Sequence, residues 1–199
     1  MSTAPARPVG LGILSILAGL IGWFASFELL TERIHSLVDL SYVPACNVNI
    51  LVTCGPNMES WQGSLFGFSN PIIGVAAFVA PILMGAAILA GVRFPRWWWV
   101  AYAAGVTLGF AFIVWLISQS LFVLGTMCPW CMVVWTAMIP LFWFTVFHVL
   151  RSGHVTASPR VAALFASLYG WAWVFTVVSY LLVAFLAQLQ LSWIPRAFL

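Results

Sequence analysis

An all-α integral membrane protein is the fold class this sequence predicts, and three observations predict it. Of 199 residues, 64% are hydrophobic and only 6% charged, whereas soluble domains are close to a quarter charged. Residues 97–150 contain no Asp, Glu, Lys or Arg. That run is too long for one crossing at about 1.5 Å per residue through a core about 30 Å thick, so it must break. The arginines fall between the apolar runs in a pattern that five spans satisfy. The net charge of +3 comes from seven scattered basic residues and forms no patch for nucleic acid.

Taken in order, residues 1–8 are polar, proline-containing and expected to fray. The start carries a single Arg7, and no small-residue cleavage site follows before Glu28, so the first apolar run reads as a retained helix. Span one covers 9–27, and its Gly10, Gly12, Gly19 and Gly22 would let another helix approach closely. Residues 28–69 form the long connection and carry Cys46 and Cys54. A connection of this length predicts structure of its own, with short helices near 29–40 and 57–66. In the second of these, Trp61, Leu65 and Phe66 would lie against lipid or cover the bundle. Pro44 and Gly55-Pro56 punctuate the cysteine segment.

Span two covers 71–90, with Pro81 placed to kink it. Span three covers 97–124 and opens on Trp97, Trp98 and Trp99, an interfacial anchor. Gly125 is the natural break before span four, 128–150. A polar turn over 151–160 leads to span five, 161–189. With the N-terminus cytoplasmic, Arg7, Arg93, Arg96, Arg151 and Arg160 lie inside, and Arg33 and Arg196 outside. The acids Glu28, Glu32, Asp39 and Glu59 also lie outside. The expectation is a multi-pass protein of the inner (cytoplasmic) membrane. All four cysteines then converge on the extracytoplasmic face, where disulfides persist.

The chemistry is carried by Cys128-Pro129-Trp130-Cys131. A Cys-x-x-Cys at a helix start can close a disulfide across one turn. Its first sulfur then sits among free backbone N–H groups, which stabilise the attacking thiolate. Buried structural cysteines or metal ligands are the alternatives. The placement at a membrane boundary favours redox chemistry. Cys46 and Cys54, separated by seven residues on a loop, make a mobile pair beside a fixed one, which is a relay. In lipid the available two-electron acceptor is a quinone, and Phe66, Phe68, Trp130 and Trp135 are candidates to line its apolar cavity.

The Cys46-x7-Cys54 pair, Ser60, Phe66-Gly67, Ser69-Asn70-Pro71-Ile72-Ile73-Gly74 and the Cys128–Cys131 motif together resemble the vitamin K epoxide reductase family over roughly residues 10–150. The resemblance is specifically to bacterial members without a fused thioredoxin-like domain. The resemblance implies a four-helix bundle around a quinone, here with a fifth transmembrane helix. It implies that Cys46 exchanges with a separate DsbA-like or thioredoxin-like extracytoplasmic protein, that Cys54 exchanges with Cys128, and that Cys131 faces the quinone. Asn70 would hydrogen-bond a quinone carbonyl, and Ser60 would hold the loop beside the pocket. The cofactor would be menaquinone or ubiquinone, with menaquinone favoured. The reaction would support disulfide-bond formation rather than epoxide reduction.

The sequence departs from animal members at Trp135, where a tyrosine is frequent, so a hydroxyl donor is missing. Plainer roles stand beside these. Asn70 before Pro71 has the composition of a helix N-cap, and Ser60 that of a loop cap. Two other functions remain open from sequence: a DsbB-like quinone reductase of separate ancestry, whose motif order is reversed, and a non-enzymatic membrane scaffold with structural disulfides.

Overall fold

The computed structural model describes residues 8–153 and 159–191. Helix α1 (Val9–Val38) has 30 residues, a length of about 45 Å at 1.5 Å per residue. It therefore crosses a membrane core and continues past it. The separate helix expected near 29–40 is instead this continuation, because no glycine or proline interrupts the chain from Trp23 to Val43. Asp39 ends it, with its Oδ1 accepting hydrogen bonds from the Ser41 N–H and hydroxyl.

The expected helix near 57–66 is two short pieces, α2 (Gly55–Glu59) and a 3₁₀ turn over Trp61–Ser64. Ser60 separates them. Its backbone is extended, and its hydroxyl oxygen accepts the Gly63 N–H, starting a new turn rather than continuing the old one.

Span two is α3 (Pro71–Ala77) and α4 (Val79–Leu89), interrupted at Phe78. Pro81 has no N–H to give the Ala77 carbonyl, so the break lies one turn before the proline. Helix α5 (Arg96–Gln119) ends in a π-helical turn, Ser120–Leu124. Gly125 follows at φ 67°, a left-handed conformation that glycine adopts without strain. This divides the long uncharged run. Helix α6 (Pro129–Arg151) then runs on through Pro140. The expected fifth span is two helices, α7 (Pro159–Tyr169) and α8 (Ala172–Leu191), because the chain turns at Gly170-Trp171. Of the two, α8 is long and apolar enough to cross.

Among the described residues, five segments thus have the length and hydropathy of membrane spans, and the protein is an all-α, multi-pass membrane protein. Helix α1 packs against α3, α4 and α6, while α6 also meets α5, α7 and α8. The bundle is α1, α3–α4, α5 and α6, with α8 outside on α6. Glycines set the α1–α4 seam. A Cβ at Gly19 would lie 2.6 Å from Ile82, Gly12 is closed by Ile88 and Leu89, and Gly22 by the Phe78 ring at the start of α4, whereas Gly10 faces open space. Helices α4 and α5 make no comparable contact, although a short turn joins them.

The two ends of the bundle differ. Leu11, Ile88, Trp99 and Val149 pack together at one end, near Arg93, Arg96 and Arg151 in the chain. Leu29, Cys46, Cys54, Met58 and Cys128 pack together at the other. Arg7, His154, Trp193, Pro195 and Arg196 lie outside the described residues.

Candidate redox site

Two hydrogen bonds of an isolated parallel bridge tie the loop to span four. Thr53 N–H donates to the Met127 carbonyl at 3.0 Å, and Met127 N–H donates to the Leu51 carbonyl at 2.7 Å. Cys54 follows Thr53 and Cys128 follows Met127, so the bridge fixes both sulfurs in register. Cys46 and Cys54 are joined as a disulfide, and Cys128 and Cys131 are free thiols. Cys128 Sγ lies 3.1 Å from Cys54 Sγ. Both sulfurs belong to fully buried residues.

Each sulfur of this contact is placed by its own helix start. Cys128 is the N-cap of α6, with Pro129 at the first helical position, and its Sγ accepts the Cys131 N–H at 3.5 Å. That contact stabilises negative charge on the sulfur. Cys54 is the N-cap of α2. Asn47, next to Cys46, binds the chain around Cys54. Its Oδ1 accepts from Thr53 Oγ1 at 2.6 Å, Cys54 N at 2.9 Å and Gly55 N at 3.2 Å. One carboxamide therefore organises both ends of the loop disulfide.

The approach to Cys46 is anchored on α1. Glu32 Oε2 accepts from the Tyr42 hydroxyl at 3.0 Å and from Ala45 N at 3.2 Å. The hydrogen bond to Glu32 raises the pKa of the Tyr42 phenol, and the Ser41 hydroxyl and N–H hold the Asp39 carboxyl below its ordinary range. Cys46 itself is buried at 7% exposure.

Below the sulfurs, Cys131 lies on the wall of a cavity of about 400 Å³ between α1, α3–α4, α5 and α6. The walls are mostly apolar. Ala77, Ala80, Ala101 and Gly105 line it and are also exposed, so the cavity opens to the bundle's outside between α4 and α5. The polar lining is concentrated near the loop: Asn57, Gln62, Asn70, Gln119 and Ser120. The volume and the mix of apolar wall with few polar groups match a small-molecule site.

Asn70 and Trp135 both face this cavity, and both are buried. Asn70 makes no side-chain cap to α3. Its Nδ2 donates to the Gln62 carbonyl at 2.6 Å, and its Oδ1 accepts from Leu65 N at 3.2 Å. An amide NH₂ has two hydrogens, so one donor of Asn70 is left for a ligand. Ser60 lies off the cavity wall, capping the 3₁₀ turn that carries Gln62. Phe66 and Phe68 are outside the cavity and exposed. They stack on each other, and Phe66 also meets Phe112. Trp130 packs edge-on against Phe24 beside the cysteine cluster rather than into the cavity.

Sequence reasoning passed over Asn57. Its Nδ2 donates to Thr126 Oγ1 at 2.9 Å, and its Oδ1 accepts from Ser120 Oγ at 2.6 Å. It thereby bolts α2 to the π turn and to the residue two before Cys128. The detectable signal was an amide in a short segment between a redox cysteine and an apolar run.

Residues 13–146 match the sequence profile of the Vitamin K epoxide reductase family. The chain belongs to the vitamin K epoxide reductase family. No curated protein and no solved structure matches it at a significant level. The matched region spans both cysteine pairs and four of the five spans and stops before α7. Membership removes the DsbB-like ancestry as an explanation of the two pairs. With the paired sulfurs, it makes the protein a membrane-embedded redox enzyme.

Proposed function

We propose that this protein takes electrons from a separate thioredoxin-like or DsbA-like protein and delivers them, through Cys46/Cys54 and then Cys128/Cys131, to a membrane quinone. The observation that carries this reading is the 3.1 Å approach of Cys128 Sγ to Cys54 Sγ, with Cys131 on the cavity wall.

The exchange balances as follows. A partner thiolate attacks Cys46, and Cys54 leaves as a thiolate. The partner's second thiol then displaces Cys46, giving an oxidised partner and a reduced loop pair. Cys54 thiolate next attacks Cys128 of a Cys128–Cys131 disulfide, and Cys131 leaves as a thiolate. Cys46 attacks Cys54, releasing Cys128 and restoring the loop disulfide. The described state, with a loop disulfide beside two thiols, is the product of this exchange. A quinone bound in the cavity supplies a two-electron, two-proton acceptor for the Cys128/Cys131 dithiol. Asn70 offers a donor to a ring oxygen, and Trp135 provides an apolar face. Small residues at the α4–α5 opening leave room for an apolar tail toward lipid. Menaquinone is favoured over ubiquinone.

The orientation follows from the positive-inside rule. The end bearing Arg93, Arg96 and Arg151 is cytoplasmic and the cysteine end extracytoplasmic. In this reading the N-terminus is inside, the protein sits in the inner membrane, and it supports disulfide-bond formation.

The test is a double variant, Cys46→Ala with Cys131→Ala. It leaves only the two sulfurs in contact. Mild oxidation in membranes should convert it almost completely to a Cys54–Cys128 disulfide, read by mass spectrometry of non-reduced peptides. Two persistently free thiols would overturn the relay.

A further inference from the structure

The cavity contains a polar group that no protein atom satisfies. Gln62 is buried at 3% exposure, lines the cavity, and its Oε1 has no hydrogen-bond partner. Its Nε2 donates to Gln119 Oε1 at 3.4 Å across to α5. In this arrangement the amide nitrogen faces Gln119 and the oxygen is the unpaired end. A buried acceptor without a donor costs on the order of 1–3 kcal/mol. Buried polar groups are nearly always paired, so an exception asks for a function.

We propose that Gln62 is a ligand-binding residue of the cavity, positioned by Gln119, and that its Oε1 accepts a hydrogen bond from a ring hydroxyl of the reduced, quinol form. The inference rests on the quinone reading above. It follows from acceptor chemistry: a quinone oxygen has no hydrogen to give a carboxamide oxygen, whereas a quinol hydroxyl has. Asn70 is the complementary group. Its remaining Nδ2 hydrogen is a donor, suited to a carbonyl oxygen. The two are physically joined, because Asn70 Nδ2 also donates to the Gln62 backbone carbonyl at 2.6 Å. One donor and one acceptor are thus held together on the polar stretch of wall. The pair gives the cavity a means of distinguishing oxidised from reduced ring, which the missing hydroxyl at Trp135 does not supply.

The experiment separates this inference from the reading on which it rests. Purified protein in micelles is titrated anaerobically with a short-tailed naphthoquinone and, separately, with its chemically reduced quinol. Binding is followed by quenching of tryptophan fluorescence. Gln62→Met keeps the side-chain length and removes the carboxamide. It should weaken quinol binding about tenfold and quinone binding less than threefold, the size expected for loss of one hydrogen bond in a dry site. The melting temperature should change little, because removal of the unpaired acceptor offsets loss of the 3.4 Å bond to Gln119. Gln119→Leu should shift the quinol-to-quinone affinity ratio in the same direction by about threefold, and it carries the test if Gln62→Met does not fold. If the wild-type protein binds both forms and neither variant changes the ratio, this inference is overturned and the quinone reading stands. If the wild-type protein binds neither form, both are overturned.

Discussion

The loop above Cys128 and the cavity below it are built from opposite materials. Around Cys54 nearly every polar atom is committed: Asn47 accepts three hydrogen bonds, Asn49 two, and Asn57 joins Thr126 to Ser120. The cavity beside Cys131 is walled mostly by alanine, glycine, aliphatic and aromatic side chains, and it contains a buried acceptor left unpaired. The contrast follows from the two chemistries. Sulfur exchange needs the attacking and leaving sulfurs nearly in line, and slack of an ångström is costly. A cavity that admits and releases a lipid-soluble molecule needs smooth walls and a few oriented contacts. The two regions meet at the helix start that holds Cys128 and Cys131 and at Asn57 and Ser120, which belong to the loop's network and also line the cavity.

The sharpest way to break this division is at the sulfur that belongs to the loop alone. Cys54→Ala should lower quinone reduction driven by a thioredoxin-like protein by at least about 10³-fold, because no loop thiol then reaches Cys128. Reduction driven by dithiothreitol should fall far less, since a small dithiol can attack the membrane pair directly. Equal losses with both reductants would show that the loop does not act as a separate shuttle.

An effect of intermediate size is expected on the cavity side. Asn70→Ala should slow quinone reduction by about 10²-fold if its free amide hydrogen acts as a donor to charge developing on a ring oxygen. The rate of Cys54–Cys128 exchange, measured without quinone by rapid alkylation, should stay within a few-fold of wild type. A loss confined to exchange would reassign Asn70 to holding the 65–70 turn, where it already binds Leu65 N.

What the sequence made legible follows the same division. The forced break in residues 97–150 was visible because the charge-free run exceeds one crossing, and Gly125 takes the left-handed conformation there. The cysteine motifs were visible because their chemistry is local: four residues suffice to define one. Gln62 and Asn57 were not visible, since each acquires its role from partners 57 to 69 residues away, in Gln119, Ser120 and Thr126. Phe66 and Trp130 were expected at the cavity and face elsewhere. In a chain with 16 Phe and 12 Trp, lipid and cavity are both apolar, so composition cannot separate the aromatics that face one from those that face the other. The length of α1 shows a related limit. Hydropathy marks where the apolar run ends near Glu28, but backbone propensity carries the helix on to Val38.

The smallest effect expected is the most specific to the loop's construction. Asn57 touches neither sulfur, yet its carboxamide spans the gap between α2 and the π turn. Asn57→Ala would remove both of these bonds and the 3.4 Å bond from Nδ2 to the Thr53 carbonyl, and leave the Ser120 hydroxyl, on a residue at 3% exposure, without its acceptor. A group stranded in this way costs about 1–3 kcal/mol. The bridge between Val52 and Met127 does not involve Asn57 and should survive. The loop should therefore remain docked but looser, with Cys54 spending less time in line with Cys128. Protein-driven turnover should fall about tenfold, while affinity for a short-tailed quinone should change by less than about twofold. Asn57→Asp is the sharper variant, because its acceptor oxygen keeps the Ser120 bond while the donor to Thr126 is lost. It should recover part of the exchange rate. If Asn57→Ala instead weakened quinone binding and left exchange untouched, the loop and the cavity would not be separable in the way their materials imply, and Asn57 would belong to the cavity wall it also lines.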